Sequence, residues 1–286
     1  MSETASVATT RRRLRTELRR LRESAGLSQA EVVRELDWST SKLIRIENGS
    51  VGVSVTDVRA LLGIYGASPE QVEGLVQLAR HTRERQWWSS YRHVLSPSYR
   101  EFIGYEADAV AMMQFHPTII PGLLQTPDYI RALLPAVTLA PPSEALVEAL
   151  TEIRLRRQRE VLGTGNPPDF TVIIDEAALR RQVGGVKVMK AQLEHLATAQ
   201  DSPVKIAVMP FSAGAHVGMQ GAFHIMDFAS AEDESLVFLE TAMNSPVQRE
   251  QEQVAQYREQ FQAMLEQSLR GAEAVAFIRR VARGMS

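Results

Sequence analysis

The sequence predicts two domains: an all-α, five-helix domain at the N-terminus, then an α+β (or α/β) domain with a small sheet of about four strands. Three observations lead there. Residues 11–85 hold five apolar helical stretches, the last four of them opened by capping residues. Residues 81–100, HTRERQWWSSYRHVLSPSYR, break that pattern with the adjacent Trp87 and Trp88, then Ser-Ser and Ser-Pro-Ser. From about residue 101, helical segments alternate with short β-rich runs. The division that follows is a disordered tail over 1–10, a helical domain over 11–85, a linker over 86–100 and the α+β domain over 101–286.

In chain order, residues 11–25 form a helix with Leu14, Leu18 and Leu21 on one face and arginines over the others. Ser28 caps the second helix, and Glu31 three residues on completes a capping box. Ala30, Val33 and Leu36 share its inner face, and Asp37-Trp38 makes the turn. Ser39 caps the third helix, and Gly49 ends it as a residue with φ > 0. Leu43, Ile46 and Glu47 point inward, while Thr40, Ser41, Ile44, Arg45 and Asn48 point outward. Short polar groups and one Arg on an outward face suit base edges in a major groove. Two short helices joined by a tight turn therefore read as a helix-turn-helix DNA-binding unit. A fourth helix starts near Ser54, with Asp57 at its capping-box position and Val55, Val58, Leu61, Leu62 and Tyr65 as core. Ser68-Pro69-Glu70-Gln71 opens a fifth, which runs to about Arg85.

Composition bounds the chemistry. Of 286 residues, 44 % are hydrophobic and 23 % charged, the proportions of an ordinary globular protein. No apolar run approaches a membrane span, and MSETASVATTRRRLR has no apolar stretch of the kind a secretory signal needs. The absence of cysteine excludes disulfides and thiolate sites and fits a cytoplasmic location. The net charge of −2 hides an asymmetry: residues 1–90 carry fourteen Lys and Arg against eleven Asp and Glu, and the remainder 18 against 23. Seven of the basic residues are Arg within 11–22. At least one of Arg11, Arg12, Arg13 and Arg15 is expected at a phosphate backbone, with a merely solvated face as the alternative.

The first domain resembles the XRE (lambda-repressor-like) helix-turn-helix family in its RxxxGLSQ…SxxxLxRIENG pattern. The matching residues are Arg22, Gly26, Leu27, Ser28 and Gln29, then Ser39, Leu43, Arg45, Ile46, Glu47, Asn48 and Gly49. The resemblance covers about residues 12–80 and implies roles. Ser39 caps the reading helix within the DNA-facing set. Gln29 bonds a phosphate and braces that helix; Thr40, Ser41 and Arg45 face bases; Lys42 and Asn48 contact the backbone; Arg22 and Glu47 form a buried pair. Asp37-Trp38 departs from the Gly and small aliphatic residue that the family usually has in the turn, leaving Trp38 at the core edge or near the DNA.

In the second domain, helices are expected over 101–114, 127–134, 143–162, 176–183, 187–199, 247–268 and 272–283, and strands over 170–174, 204–209, 222–228 and 236–240. None of the six histidines pairs at HxxxH or HxH spacing, so no metal and no cofactor is expected. His216 and His224 either converge with Asp175, Glu176 and Glu240, or Asp175 caps the helix starting at Glu176 and His224 is one alternating strand residue. There is no G-x-S-x-G elbow and no phosphate-binding glycine spacing, so no catalytic residue is expected and the protein reads as a non-enzyme. The RLRRQR run over 154–159 reads as a solvated or ion-paired face, with an anion-binding face as the alternative. Trp87 and Trp88 read as packing between domains or as part of a ligand site.

The order of pieces after residue 90 resembles an uncharacterised C-terminal domain that accompanies XRE domains in many actinobacterial, antitoxin-like regulators. The pieces are Glu106-Ala107-Asp108-Ala109, PGLLQTPDYIRALL (121–134), RLRRQREVL (154–162), VIIDEAALRRQVGG (172–185), VMKAQLEHL (188–196), VKIAVMPFSAGAHVGMQGAFHIMDF (204–228) and LVFLET (236–241). Together the two resemblances imply a transcriptional regulator that binds double-stranded DNA as a homodimer on a palindromic operator, through helix 39–48. The second domain would then sense a small-molecule effector or bind a small neighbour-encoded protein; in the antitoxin-like alternative, binding that protein is the main role and DNA binding serves autoregulation.

Overall fold

The computed structural model describes residues 7–47, 53–81, 87–91, 93–138, 140–163, 165–199, 204–229, 233–240, 247–248 and 250–285. The chain divides into two compact units, Met1–Ser90 and Tyr91–Ser286.

The first unit is helical: α1 (Val7–Ser24), α2 (Gln29–Glu35), α3 (Thr40–Glu47), α4 (Val55–Tyr65) and α5 (Pro69–His81). Local chemistry starts α2, α4 and α5 where the spacing of their capping residues implies. At α2, the Ser28 side chain accepts from the Glu31 amide while the Glu31 carboxylate accepts from the Ser28 amide. Ser54 caps α4 through the Asp57 amide, and Ser68 and Gln71 close the same reciprocal pair at α5. Leu14, Leu18 and Leu21 of α1 meet Val32, Val33, Leu43, Ile46, Val58, Leu61 and Leu62 in one core. Two details differ from the expected faces. Val32, not Ala30, is the second buried residue of α2, because the seven-residue helix turns its Val-Val pair inward. Arg12 is buried rather than spread over the outer face of α1. Asn48 and Gly49 lie outside the described residues.

The second unit is a mixed sheet with helices on both faces. Its elements are α6 (Pro97–Asp108), β1 (Ala109–His116), α7 (Pro127–Ala136), α8 (Glu144–Leu162), β2 (Asp169–Asp175), α9 (Glu176–Arg180), α10 (Gly185–Thr198), β3 (Val204–Met209), β4 (Ala222–Phe228), β5 (Leu236–Glu240), β6 (Val247–Gln248), α11 (Gln251–Gln267), β7 (Leu269–Arg270) and α12 (Gly271–Arg283). The strand order is β6-β5-β4-β1-β2-β3-β7. β1, β2 and β3 are parallel, and β4 runs antiparallel beside β1. The four expected strands are present, and among the described residues the sheet has seven, the outermost two of only two residues each.

The strand missing from the expectation is the central one. AVAMMQFH belongs to β1, whereas a helix was expected to continue through residue 114. Its apolar run is covered on both sides, and such a run has no polar alternation to distinguish it from a buried helix. One face of the sheet places Phe115, Ile173, Ala207, Phe223, Ile225 and Val237 against Val254, Phe261 and Met264 of α11. The opposite face carries α6, whose Phe102 ring lies 4.5 Å from Phe238 and 5.2 Å from His224. Among the described residues, no helix is long and apolar enough to cross a membrane.

Candidate nucleic-acid interface and a buried histidine cluster

α3 is built to present one face. Leu43 and Ile46 are buried, while Thr40, Ser41, Ile44 and Arg45 are exposed. The Ser39 hydroxyl accepts from the Lys42 amide at 3.3 Å and so caps the first turn. Arg45 lies along its own helix, its Nε donating to the Ser41 carbonyl at 3.1 Å. Behind the helix, Arg22 Nε donates to Glu47 Oε1 at 2.6 Å and Nη2 to Oε2 at 3.2 Å, with both side chains largely buried. Arg22 Nη1 also donates to the Leu27 carbonyl at 2.8 Å, so one guanidinium joins α1, the start of α2 and the end of α3. Gln29 Nε2 donates to Glu47 Oε2 at 2.6 Å.

The turn between α2 and α3 works through an unusual pair of residues. Asp37 adopts φ 53°, the left-handed conformation for which glycine is the ordinary choice. Trp38 packs on the edge of the helical core, and the Lys42 ammonium sits 3.5 Å above the centroid of its ring. Lys42 also donates to Asp57 Oδ1 at 2.7 Å. Its charge is therefore held between α3 and α4 rather than projected outward. Trp87 and Trp88 meet edge to face, with centroids 5.5 Å apart, and Trp88 is buried.

The second unit divides His216, His224, Asp175, Glu176 and Glu240 into two groups. Asp175 caps α9, its carboxylate accepting from the Ala177 amide at 2.8 Å. His216 Nε2 approaches Asp175 Oδ2 at 3.3 Å and packs edge-on against Phe115. His224 instead packs on His116, the residue after Phe115, with ring centroids 5.0 Å apart. Successive strand residues face opposite sides, so His216 and His224 lie on opposite faces of the sheet and form no joint site. Glu176 is structural: it accepts from Arg180 Nε at 2.5 Å and from the Phe211 amide at 2.8 Å.

A family model described as a helix-turn-helix domain matches residues 13–75, and one described as a domain of unknown function (DUF5753) matches residues 99–280, well over half of the chain. The chain belongs to the DUF5753 family. No curated protein and no solved structure matches it. The helix-turn-helix match supports a DNA-binding regulator, with the DUF5753 domain as its second part.

Within the DUF5753 domain, the RLRRQR run is ion-paired rather than an open anion face, and its central pair is buried. Arg157 is buried, with its Nε 2.7 Å from Glu106 Oε2, and its Nη1 donates to the Tyr99 hydroxyl. Arg154 Nη1 donates to Gln125 Oε1 at 2.7 Å, and Gln158 Nε2 donates to the carbonyls of Gly122 and Gln125 at 2.9 Å. Three residues on one face of α8 thereby hold the segment that leaves β1. Gln192 Nε2 completes the hold by donating to the Leu124 carbonyl at 2.7 Å, and its Oε1 accepts from the Thr126 amide at 2.7 Å. The PGLLQTP run thus satisfies its backbone through side chains from two helices.

Beside Glu106 and Arg157, a polar row crosses the sheet of the DUF5753 domain. Gln114 is paired in register with His224, His224 with Phe238, and Ala222 with Glu240. His116 ends β1 next to that row. His116 Nδ1 lies 3.9 Å from Glu240 Oε2, and His224 Nε2 lies 3.8 Å from the same oxygen. Burial lowers the His116 imidazole to about 3, so it is neutral near pH 7. Burial would raise Glu240, but the His224 and His116 imidazoles beside it outweigh that and hold the carboxyl below the usual range. Burial pushes Glu106 up against the opposing pull of Arg157, while Glu106 and Tyr99 keep the Arg157 charge against its own burial. His116 escaped the sequence reading because β1 was read as a helix. The available signal was a His at the end of an apolar run, just before the Pro-rich HPTIIPG segment.

Proposed function

We propose that the protein is a sequence-specific transcriptional regulator that reads an operator through α3. The observation that carries this reading is the outward face of α3. Thr40, Ser41, Ile44 and Arg45 are exposed together on the helix that follows the tight turn, and Glu47 anchors the helix from behind. Thr and Ser bond to base edges, Ile44 offers an apolar contact for a thymine methyl, and Arg45 reaches guanine O6 and N7 once released from its own helix. Gln29 Nε2 carries two N–H bonds, so bracing Glu47 leaves a second donor for a phosphate. Lys42 meets a phosphate only by exchanging Asp57 for it.

One such helix covers few base pairs. A homodimer on half-sites about 34 Å apart supplies the remaining specificity. Operator selection from a random duplex library, followed by anisotropy titration of wild type and Arg45→Ala, tests the reading. Loss of sequence preference in the variant is expected. Equal affinity of the two proteins for the selected operator overturns it.

An effector acting through the DUF5753 domain is the second reading. It is favoured by the buried polar cluster of Gln114, His116, His224, Glu106 and Arg157, which costs stability unless something satisfies it.

A further inference from the structure

Orphaned polar atoms gather at one place in the second unit. Among the described residues, His116 Nδ1, His224 Nδ1 and Gln114 Nε2 are buried without a hydrogen-bond partner. The two imidazoles and Glu240 bring one ligand atom each within 4.8 Å of one another. An ordinary hydrogen-bonded cluster does not account for this geometry. The distances of 3.8 and 3.9 Å from the imidazole nitrogens to Glu240 Oε2 exceed the 2.7–3.2 Å of such bonds.

Those distances suit an ion between the groups. Ligands at about 2.0–2.1 Å around a tetrahedral ion lie roughly 3.4 Å apart, so closing the site takes about half an ångström between each imidazole and Glu240, and up to about 1.4 Å between the two imidazoles. The ring orientation also fits. Gln114 Oε1 lies 3.4 Å from His116 Nε2 and takes its N–H, which leaves the lone pair of Nδ1 facing Glu240. His224 presents Nε2 to the same carboxylate. Arg157 and Arg154 are the nearby charges that would oppose a cation; Glu106 balances Arg157 at 2.7 Å, and Glu240 itself faces Arg154. Both imidazoles are buried, while the Glu240 side chain is 47 % exposed and opens the site to solvent on one side.

We propose that His116, His224 and Glu240 hold a divalent first-row transition ion, of which Zn2+ is the best match to two imidazoles and one carboxylate. The remaining coordination position faces the open side, where water or a small anion completes it. The three ligands come from the ends of β1 and β5 and from β4, so an ion ties together three strands around the point where the parallel half of the sheet meets the antiparallel half. The site gives the effector reading a chemical class and rests on that reading only for its link to DNA.

The test uses the full-length chain, stripped with a chelator and titrated with Zn2+ in competition with a chromophoric chelator. One equivalent bound per chain is expected, with affinity reduced tenfold to a hundredfold in Glu240→Gln and further in His224→Phe, which keeps an aromatic ring against Phe102. His93→Gln, at an exposed residue outside the cluster, is expected to bind as wild type. Co2+ in place of Zn2+ reports the ligand set by its visible spectrum, which should change in Glu240→Gln whether or not His224→Phe folds. No bound equivalent in the wild type, or binding and spectrum indifferent to Glu240→Gln, overturns the site. Operator binding by the stripped protein is measured separately, so failure of the metal site and failure of the DNA reading are distinguishable.

Discussion

Arg22 and Glu47 face each other across the base of the helix-turn-helix, with Nε to Oε1 at 2.6 Å and Nη2 to Oε2 at 3.2 Å. A paired guanidinium and carboxylate of this kind fixes direction as well as distance. It sets the angle at which α3 leaves the core, with Gln29 as the third member. Removing one partner leaves the other as a buried, unbalanced charge. Glu47→Ala is therefore expected to destabilise the protein by about 3–5 kcal/mol, read as a lower denaturant midpoint for the N-terminal unit. An unchanged midpoint would contradict a structural role for the pair.

The exposed face of α3 predicts a different phenotype. Arg45 touches its own Ser41 carbonyl and contributes nothing to the core. Arg45→Ala should melt with the wild type while losing about 1–3 kcal/mol of specific binding. Anisotropy titrations on the selected operator and on a scrambled duplex separate that loss from a general loss of affinity.

Asp37 occupies a left-handed conformation, φ 53°. For a residue with a Cβ this geometry costs on the order of 1–2 kcal/mol, less for Asp than for most. Asp37→Gly is expected to stabilise the first unit by roughly 0.5–1 kcal/mol after the entropy cost of glycine is counted. Asp37→Val should destabilise it. The same order of melting temperatures for all three proteins would show that the turn is not held there.

Gly122 lies against the buried Arg157. A Cβ at residue 122 would stand 2.7 Å from Arg157 Nη2. Gly122→Ala must push the guanidinium away from Glu106 and Tyr99, at a cost of about 1–3 kcal/mol. Thermal melting of the full chain reads this, and an alanine variant as stable as wild type would mean that Arg157 has room to move.

Acid should weaken both units for one reason. Partial burial works to raise Asp57 and Asp227, but hydrogen bonds from Lys42 and Ser54, and from Arg258 and Ser235, outweigh it and hold both carboxyls below the usual range. A lowered folded pKa means that the unfolded chain takes up protons first as the pH falls. Their contribution is thus complete above about pH 5 and is lost as the pH drops through about 4 and below. Asp227→Asn should flatten part of that decline in a pH series of melting curves.

Local signals were enough for the first unit. Ser28 with Glu31, Ser54 with Asp57 and Ser68 with Gln71 each mark a helix start within three residues, and each bond is made where its spacing implies. The same holds in the second unit for Thr126 before Pro127 and for Asp175 before Glu176. β1 was illegible because burial on both faces erased the alternation that marks a strand. Ion pairing of the 154–159 run was one of its expected readings, but the buried partner of Arg157 and the segment that Arg154 and Gln158 grip were not legible, because both lie far away in the sequence.

By itself the sequence determined where helices begin, which helix presents polar groups outward and that two folding units follow one another. Those are properties of spacing within a few residues, set by backbone hydrogen bonds and side-chain periodicity. Only the tertiary structure decided that His116, His224 and Glu240 lie together and that His216 does not join them. Strand order and the two-residue alternation of the pleat make that choice, because they bring distant residues to one face and separate near neighbours.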